Sequence, residues 1–132
     1  MIFLDASAMV SMLTGEDDAD ALADRLAIDH ERFTSAVAVF ETAAALMRKR
    51  GLAMAEARDV IDRFLSLAGI GLSPIAAVER DLALSAFDRF GKGRHPAGLN
   101  LGDCFAYASA KALGAKLLFK GEDFPLTDIT AA

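Results

Sequence analysis

The chain of 132 residues has one cysteine, two histidines, three prolines and no excess of positive charge. The lone Cys104 excludes an internal disulfide and fits a reducing compartment. No His lies near it in sequence, so it reads as a core residue rather than a nucleophile. His30 and His95 stand far apart and lack the spacing of a zinc site. No internal repeat or low-complexity tract is visible, and residues 1–132 read as one domain. No run reaches the roughly 18 uninterrupted apolar residues of a transmembrane helix. The amino terminus has no basic stretch, and Asp5 interrupts its only apolar start, which argues against a signal peptide. The expectation is a soluble cytoplasmic protein with no membrane association.

The net charge is −5 and the isoelectric point about 4.9, which on charge alone argues against nucleic acid as a ligand. Local sign differs from net sign, however. Glu16, Asp17, Asp18 and Asp20 concentrate the acid in one block, while Arg48-Lys49-Arg50 and Lys92-Gly93-Arg94-His95 concentrate base elsewhere. Hydrophobic residues make up 54% of the chain, enough to suggest further burial in a dimer or against a partner.

What is present is three isolated acids in apolar surroundings. Asp5 is the only charged side chain in residues 1–15, Glu41 the only one in 33–47, and Asp103 the only one in 96–110. A carboxylate is costly to desolvate without compensation, and no Lys, Arg or His within those stretches supplies it. If the fold gathers the three, their mutual repulsion calls for a divalent cation among them.

The hydrophobic pattern predicts short apolar strands alternating with helices. Strands are expected at 1–4, 32–35, 70–75 (interrupted by Pro74), 116–119 and 127–129. Helices are expected at 6–13 with Ser7 as cap, 18–28, directly after Ser35 through Arg50 with Gly51 as stop, 54–67, 76–90 with Val78, Leu82, Ala86 and Phe90 on one face, and 101–113 with Gly114 as stop. The Gly-rich segment 91–100 reads as a mobile loop. Alternation of this kind implies an α/β fold around a mainly parallel sheet of four to five short strands, with ligands beyond the strands' carboxyl ends. Asp5 and the loop Gly121-Glu122-Asp123-Phe124 fall at such ends.

Each acid also has a plain structural reading. Asp5 can be a strand-end turn residue, Asp103 a first-turn helix acid capped by Asn100, and Asp123 a solvated loop acid. Glu41 is harder to dismiss, since its helix has almost no other polar residue. Four carboxylates without His or Cys suit Mg²⁺ or Mn²⁺ rather than Zn²⁺, and suit hydrolysis of a phosphodiester.

Asp5-Ala6-Ser7 after the first strand, Glu41, Leu101-Gly102-Asp103-Cys104 opening a helix, and Phe119-Lys120-Gly121-Glu122-Asp123-Phe124 followed by Thr127-Asp128-Ile129 resemble the PIN-domain proteins. More closely, they resemble the VapC-type ribonuclease toxins of toxin–antitoxin systems. The resemblance spans essentially the whole chain. It implies a three-layer α/β/α sandwich and an endoribonuclease dependent on Mg²⁺ or Mn²⁺, with no organic cofactor. It places Asp5 and Asp103 as principal metal ligands, Glu41 completing the shell or orienting the attacking water, and Asp123 at a second ion or acting through water. Ser7 and Asn100 fall at supporting polar positions. Glu122 stands where many relatives have a second Asp, leaving open whether Glu122 or Asp123 faces the metal. The resemblance further implies a homodimer, a cognate antitoxin that wraps the toxin, and operator DNA contacted only through the antitoxin. Lys92, Arg94, Lys111, Lys116 and Lys120 are candidate RNA contacts. The competing reading is a non-catalytic acidic binding module serving a protein partner. A receiver-type phospho-acceptor fails because no paired acid follows the first strand.

Overall fold

The computed structural model describes residues 1–132. In chain order it runs β1 (Ile2–Leu4), α1 (Ala6–Thr14), α2 (Ala19–Ile28), β2 (Arg32–Ser35), α3 (Ala36–Arg50), α4 (Met54–Leu67), β3 (Ile70–Ser73), α5 (Ala77–Phe90), α6 (Leu101–Leu113) and β4 (Lys116–Leu118), then a 3-10 turn at Phe124–Leu126. The sheet order is β3-β2-β1-β4 and every pairing is parallel. Phe3 pairs with Phe33 on one side and Leu117 on the other, so β1 is interior.

An interior parallel strand is covered on both faces, which is why β1 is an unbroken apolar run with every residue fully buried. The two-residue period then sorts its side chains. Phe3 packs with Ala86 and Phe90 of α5 and with Ala106 and Ala110 of α6. Ile2 and Leu4 pack with Met9 of α1, Leu22 and Leu26 of α2, and Ala38 of α3. One strand thus serves two helical layers, giving a three-layer α/β/α sandwich. A smaller cluster of Ala43, Leu46, Ala57 and Ile61 joins α3 to α4.

Gly51 and Gly114 end α3 and α6 in the left-handed conformation, as their sequence positions predicted. Strand β3 stops at Ser73, ahead of Pro74, which has no N–H to continue the ladder. Val78, expected inward, is 60% exposed; the buried stripe of α5 runs through Ala83, Ala86 and Phe90.

Segment 91–100 is a loop, as expected, and is closed by its own backbone hydrogen bonds. Lys92 N donates to Leu99 O at 2.9 Å, Leu99 N donates to Phe90 O at 3.0 Å, and Ala97 and Leu99 are fully buried. Residues 127–129 form no strand. Pro125 sits in the 3-10 turn, and Thr127 Oγ1 donates to Phe124 O at 2.7 Å while accepting from Ile129 N at 3.2 Å. Those local bonds compete with a ladder. The chain meets the sheet later, where Ala131 bridges Leu117. No helix is long and apolar enough to cross a membrane.

Candidate active site

The path from β1 runs outward to β2 and β3, whereas β4 joins the opposite side of β1. The strand order therefore reverses between β1 and β4, and a crevice opens beyond their carboxyl ends. Asp5 follows β1 directly and Lys120 follows β4.

Asp5 is 4% exposed and is itself the N-cap of α1. Its backbone is still extended (φ −75°, ψ 156°), which is what capping requires, while Ser7 is already helical. The expected cap at Ser7 is thus corrected to Asp5. Its Oδ2 accepts from Ser7 N at 3.0 Å and from Ser7 Oγ at 2.5 Å. Ser7 Oγ in turn accepts from Lys120 N at 3.0 Å. Ser7 therefore ties the loop after β4 to the acid after β1. Burial raises the Asp5 pKa above the usual carboxylate value, and the Ser7 bonds pull it partway back.

Glu41 stands on α3, whose first turn is capped by Ser35 Oγ accepting from Ala38 N at 3.2 Å. It is half-buried, and burial first, then the charges of Asp5 and Asp103, push its pKa to about 7. Its carboxylate lies against the backbone of α6 at Gly102.

Asp103 is in the first turn of α6 and forms a reciprocal cap with Asn100. Asp103 N donates to Asn100 Oδ1 at 2.9 Å, and Asn100 N donates to Asp103 Oδ2 at 3.1 Å. Burial pushes the Asp103 pKa to about 6; the Asn100 bond opposes the rise, and Asp5 and Asp123 add to it. Asp123 is exposed in the loop after β4, as is its neighbour Glu122, and it is Asp123 whose charge reaches Asp103.

The fold therefore brings together Asp5, Glu41, Asp103 and Asp123 from four separated segments. No three acidic, His or Cys side chains gather tightly enough to enclose an ion by themselves. A hard divalent ion at such a site would keep several waters and take only one or two carboxylates directly. The donors fit: Glu41 has no hydrogen bond to either oxygen, Asp5 uses only Oδ2, and the neighbouring charges on Glu41 and Asp103 are all acidic. Asp5, Asp103 and Glu41 are the residues that could contribute ligands to an ion, with Asp123 at the margin.

The five basic candidates part company. Lys120 borders a cavity of about 510 Å³ shared with Ser7 and Glu41. Its ammonium pairs with Glu16 at 2.6 Å and Asp18 at 3.4 Å. Lys92 is exposed and Arg94 pairs with Asp88 at 2.8 Å, both in the loop before α6. Lys111 is drawn to Asp128 at 3.5 Å, and Lys116 opens β4 at the far end of the sheet from the acids. Arg48 and Lys49, noted in the sequence as part of a basic block but not among the RNA-contact candidates, line the same cavity. Lys49 pairs with Glu16 at 3.0 Å, whereas Arg48 has no ion pair or side-chain hydrogen bond. The signal was available, since Arg48 lies seven residues beyond Glu41 and so on the same helical face. Gly102 was missed, and nothing in the sequence marks a first-turn glycine as a contact for Glu41.

Comparison with known proteins agrees with this architecture. The sequence model of the PIN domain matches residues 2–129. A ribonuclease VapC of Mycolicibacterium smegmatis is 44% identical over 128 residues, 97% of each chain. Ribonuclease VapC30 of Mycobacterium tuberculosis is 42% identical over 96% of this chain and 94% of its own. A VapC ribonuclease of Rhizobium meliloti is 39% identical over 98% of this chain and 99% of its own. Among solved structures, Mycobacterium tuberculosis VapC20, a sarcin–ricin loop cleaving toxin, superposes with a TM-score of 0.77 at 19% identity, covering 100% of this chain and 98% of the other. The chain belongs to the PIN-domain family, with VapC ribonucleases as its relatives.

Proposed function

We propose that this protein is a divalent-metal-dependent endoribonuclease, the toxin of a toxin–antitoxin pair. The observation that carries the reading is the meeting of Asp5, Glu41 and Asp103 at the strand-order switch, with no basic side chain paired to any of them. Full-length relatives named as VapC ribonucleases support the same activity. Bound Mg²⁺ or Mn²⁺ would neutralise phosphoryl oxygens and lower the pKa of water.

Asp5 and Asp103 are fixed for this work by their own hydrogen bonds, Asp5 by Ser7 and Asp103 by Asn100. Glu41, whose carboxylate rests against the first turn of α6 beside Asp103, accepts the proton of the attacking water. The water oxygen bonds to phosphorus as the bond from phosphorus to the 3′ oxygen breaks, and the departing 3′ oxygen takes a proton from solvent, leaving 5′-phosphate and 3′-hydroxyl ends. Asp123 acts at the outer edge of the acid set. Arg48, Lys49 and Lys120 line the approach to Glu41 and meet backbone phosphates of the RNA. A folded RNA loop is the substrate class, because its splayed bases present edges that a duplex hides. The partners proposed are a second copy of the chain and a cognate antitoxin, through which operator DNA is contacted, all in the cytoplasm.

The test is incubation of partner-free protein with total bacterial RNA and Mg²⁺ or Mn²⁺, repeated with EDTA. Discrete fragments bearing 5′-phosphates, lost with EDTA and lost in Asp103→Asn, are the expected result. Folded, metal-loaded protein that cuts nothing, or fragments ending in cyclic phosphates, would overturn the reading; the first outcome would favour a binding module.

A further inference from the structure

We infer that Gly102 is a positioning residue for Glu41: the side chain missing from the second residue of α6 is the seat of the Glu41 carboxylate. The inference rests on the ribonuclease reading of the site.

Gly102 has no backbone reason to be glycine. It lies inside a regular helix and is absent from the residues with positive φ. A helix at that position favours alanine. The reason is steric and local. A β-carbon built on Gly102 would stand 2.1 Å from Glu41 Oε2 and 2.3 Å from both Oε1 and Cδ. Non-bonded heavy atoms come to rest at about 3.5 Å or more. All three atoms closest to it belong to the one carboxylate. The contrast is Gly91, where an added β-carbon would strike the Phe87 carbonyl at 2.3 Å as well as its ring. Gly91 serves packing; Gly102 serves a flexible acidic side chain that can be displaced.

Displacement has a cost that packing does not register. With glycine, the Glu41 carboxylate rests on the first turn of α6, one residue from Asp103, and the charges of Asp5 and Asp103 reach it there. With alanine the carboxylate has to withdraw from α6 while the helix itself remains sound. A catalytic group moved by about 1 Å loses on the order of 10²-fold in rate.

The experiment compares wild type, Gly102→Ala, Glu41→Asp and the double variant, with Glu41→Ala/Gly102→Ala as a fold control. Three readouts are taken: RNA cleavage, calorimetric binding of Mn²⁺ alone, and the thermal midpoint in EDTA. Gly102→Ala is expected to keep or raise the midpoint, cut cleavage about 100-fold and weaken Mn²⁺ binding. Glu41→Asp, one methylene shorter, is expected to lose activity alone but to lose no more when Gly102→Ala is added. If Gly102→Ala lowers the midpoint, Glu41→Ala in the same chain should restore it; failure to do so makes Gly102 a packing residue and overturns the inference. Wild-type cleavage and Mn²⁺ binding in Gly102→Ala overturn it equally, as does an undiminished effect of Gly102→Ala on top of Glu41→Asp. Should wild type cut no RNA, the ribonuclease reading fails separately, while Mn²⁺ binding and the midpoints still decide the role of Gly102.

Discussion

Replacing Glu41 by Gln should make the metal-free protein more stable, and only at higher pH. Glu41 titrates at about 7 in the folded chain against 4.5 ordinarily, chiefly because burial disfavours its charged form. A carboxylate raised in this way imposes no penalty below pH 4.5, where it is protonated folded or unfolded. The penalty grows as pH rises, because the unfolded chain gives up its proton first, and is complete above pH 7. At about 1.4 kcal/mol for each pH unit between those values, the ceiling is about 3.5 kcal/mol. Glu41 is only half-buried, so solvent screening reduces this to about 1–2 kcal/mol. For a chain of this size that corresponds to a thermal midpoint higher by about 4–8 °C. Thermal unfolding in EDTA should show Glu41→Gln above wild type by that margin at pH 8, with the gap closing by pH 4.5. Mg²⁺ should raise the wild-type midpoint at pH 8 more than the variant's, because binding to the folded state alone stabilises it. A gap that is absent at pH 8, reversed, or constant with pH would refute the account of Glu41 as a strained, uncompensated charge.

Other substitutions separate support from chemistry. Ser7→Ala removes the hydroxyl that bonds both Asp5 and Lys120 N, and should cost about 1–2 kcal/mol in denaturant unfolding together with most cleavage activity. Asn100→Ala deletes one half of the reciprocal cap on α6 and should cost about 1 kcal/mol, read as a lower urea midpoint with unchanged slope. Arg48→Ala should leave the thermal midpoint within about 0.5 kcal/mol of wild type, since the guanidinium bonds to nothing in the chain. It should raise KM for RNA and flatten the salt dependence of binding by roughly one phosphate contact; an unchanged salt slope would remove Arg48 from the RNA path.

The elements legible in the sequence were those written in local patterns. Ile2–Leu4 is a continuous apolar run because β1 is covered on both faces, and Arg32–Ser35 reads as a strand passing straight into a capped helix. The three lone acids were visible because an uncompensated charge in an apolar stretch is itself a local anomaly. What remained illegible depends on contacts across the chain. Asp5 rather than Ser7 caps α1, a difference decided by one residue's ψ angle. The fifth strand fails because Pro125 and Thr127 satisfy their own turn. Lys116 and Lys120 are four residues apart yet lie at opposite ends of β4, so only one can approach the acids. Gly102 acquires meaning only when α3 is laid against α6.

The strand order has a consequence for synthesis as well as for catalysis. Asp5 and Glu41 come from the early part of the chain, whereas α6, β4 and the loop bearing Asp123 come last. β4 then docks beside β1, the first strand made, and Lys120 N–H reaches back to Ser7. A growing polypeptide thus carries two of the four acids until residue 103 has been added and three until residue 123. In the order of translation, the proposed site is therefore among the last parts of the molecule to be completed.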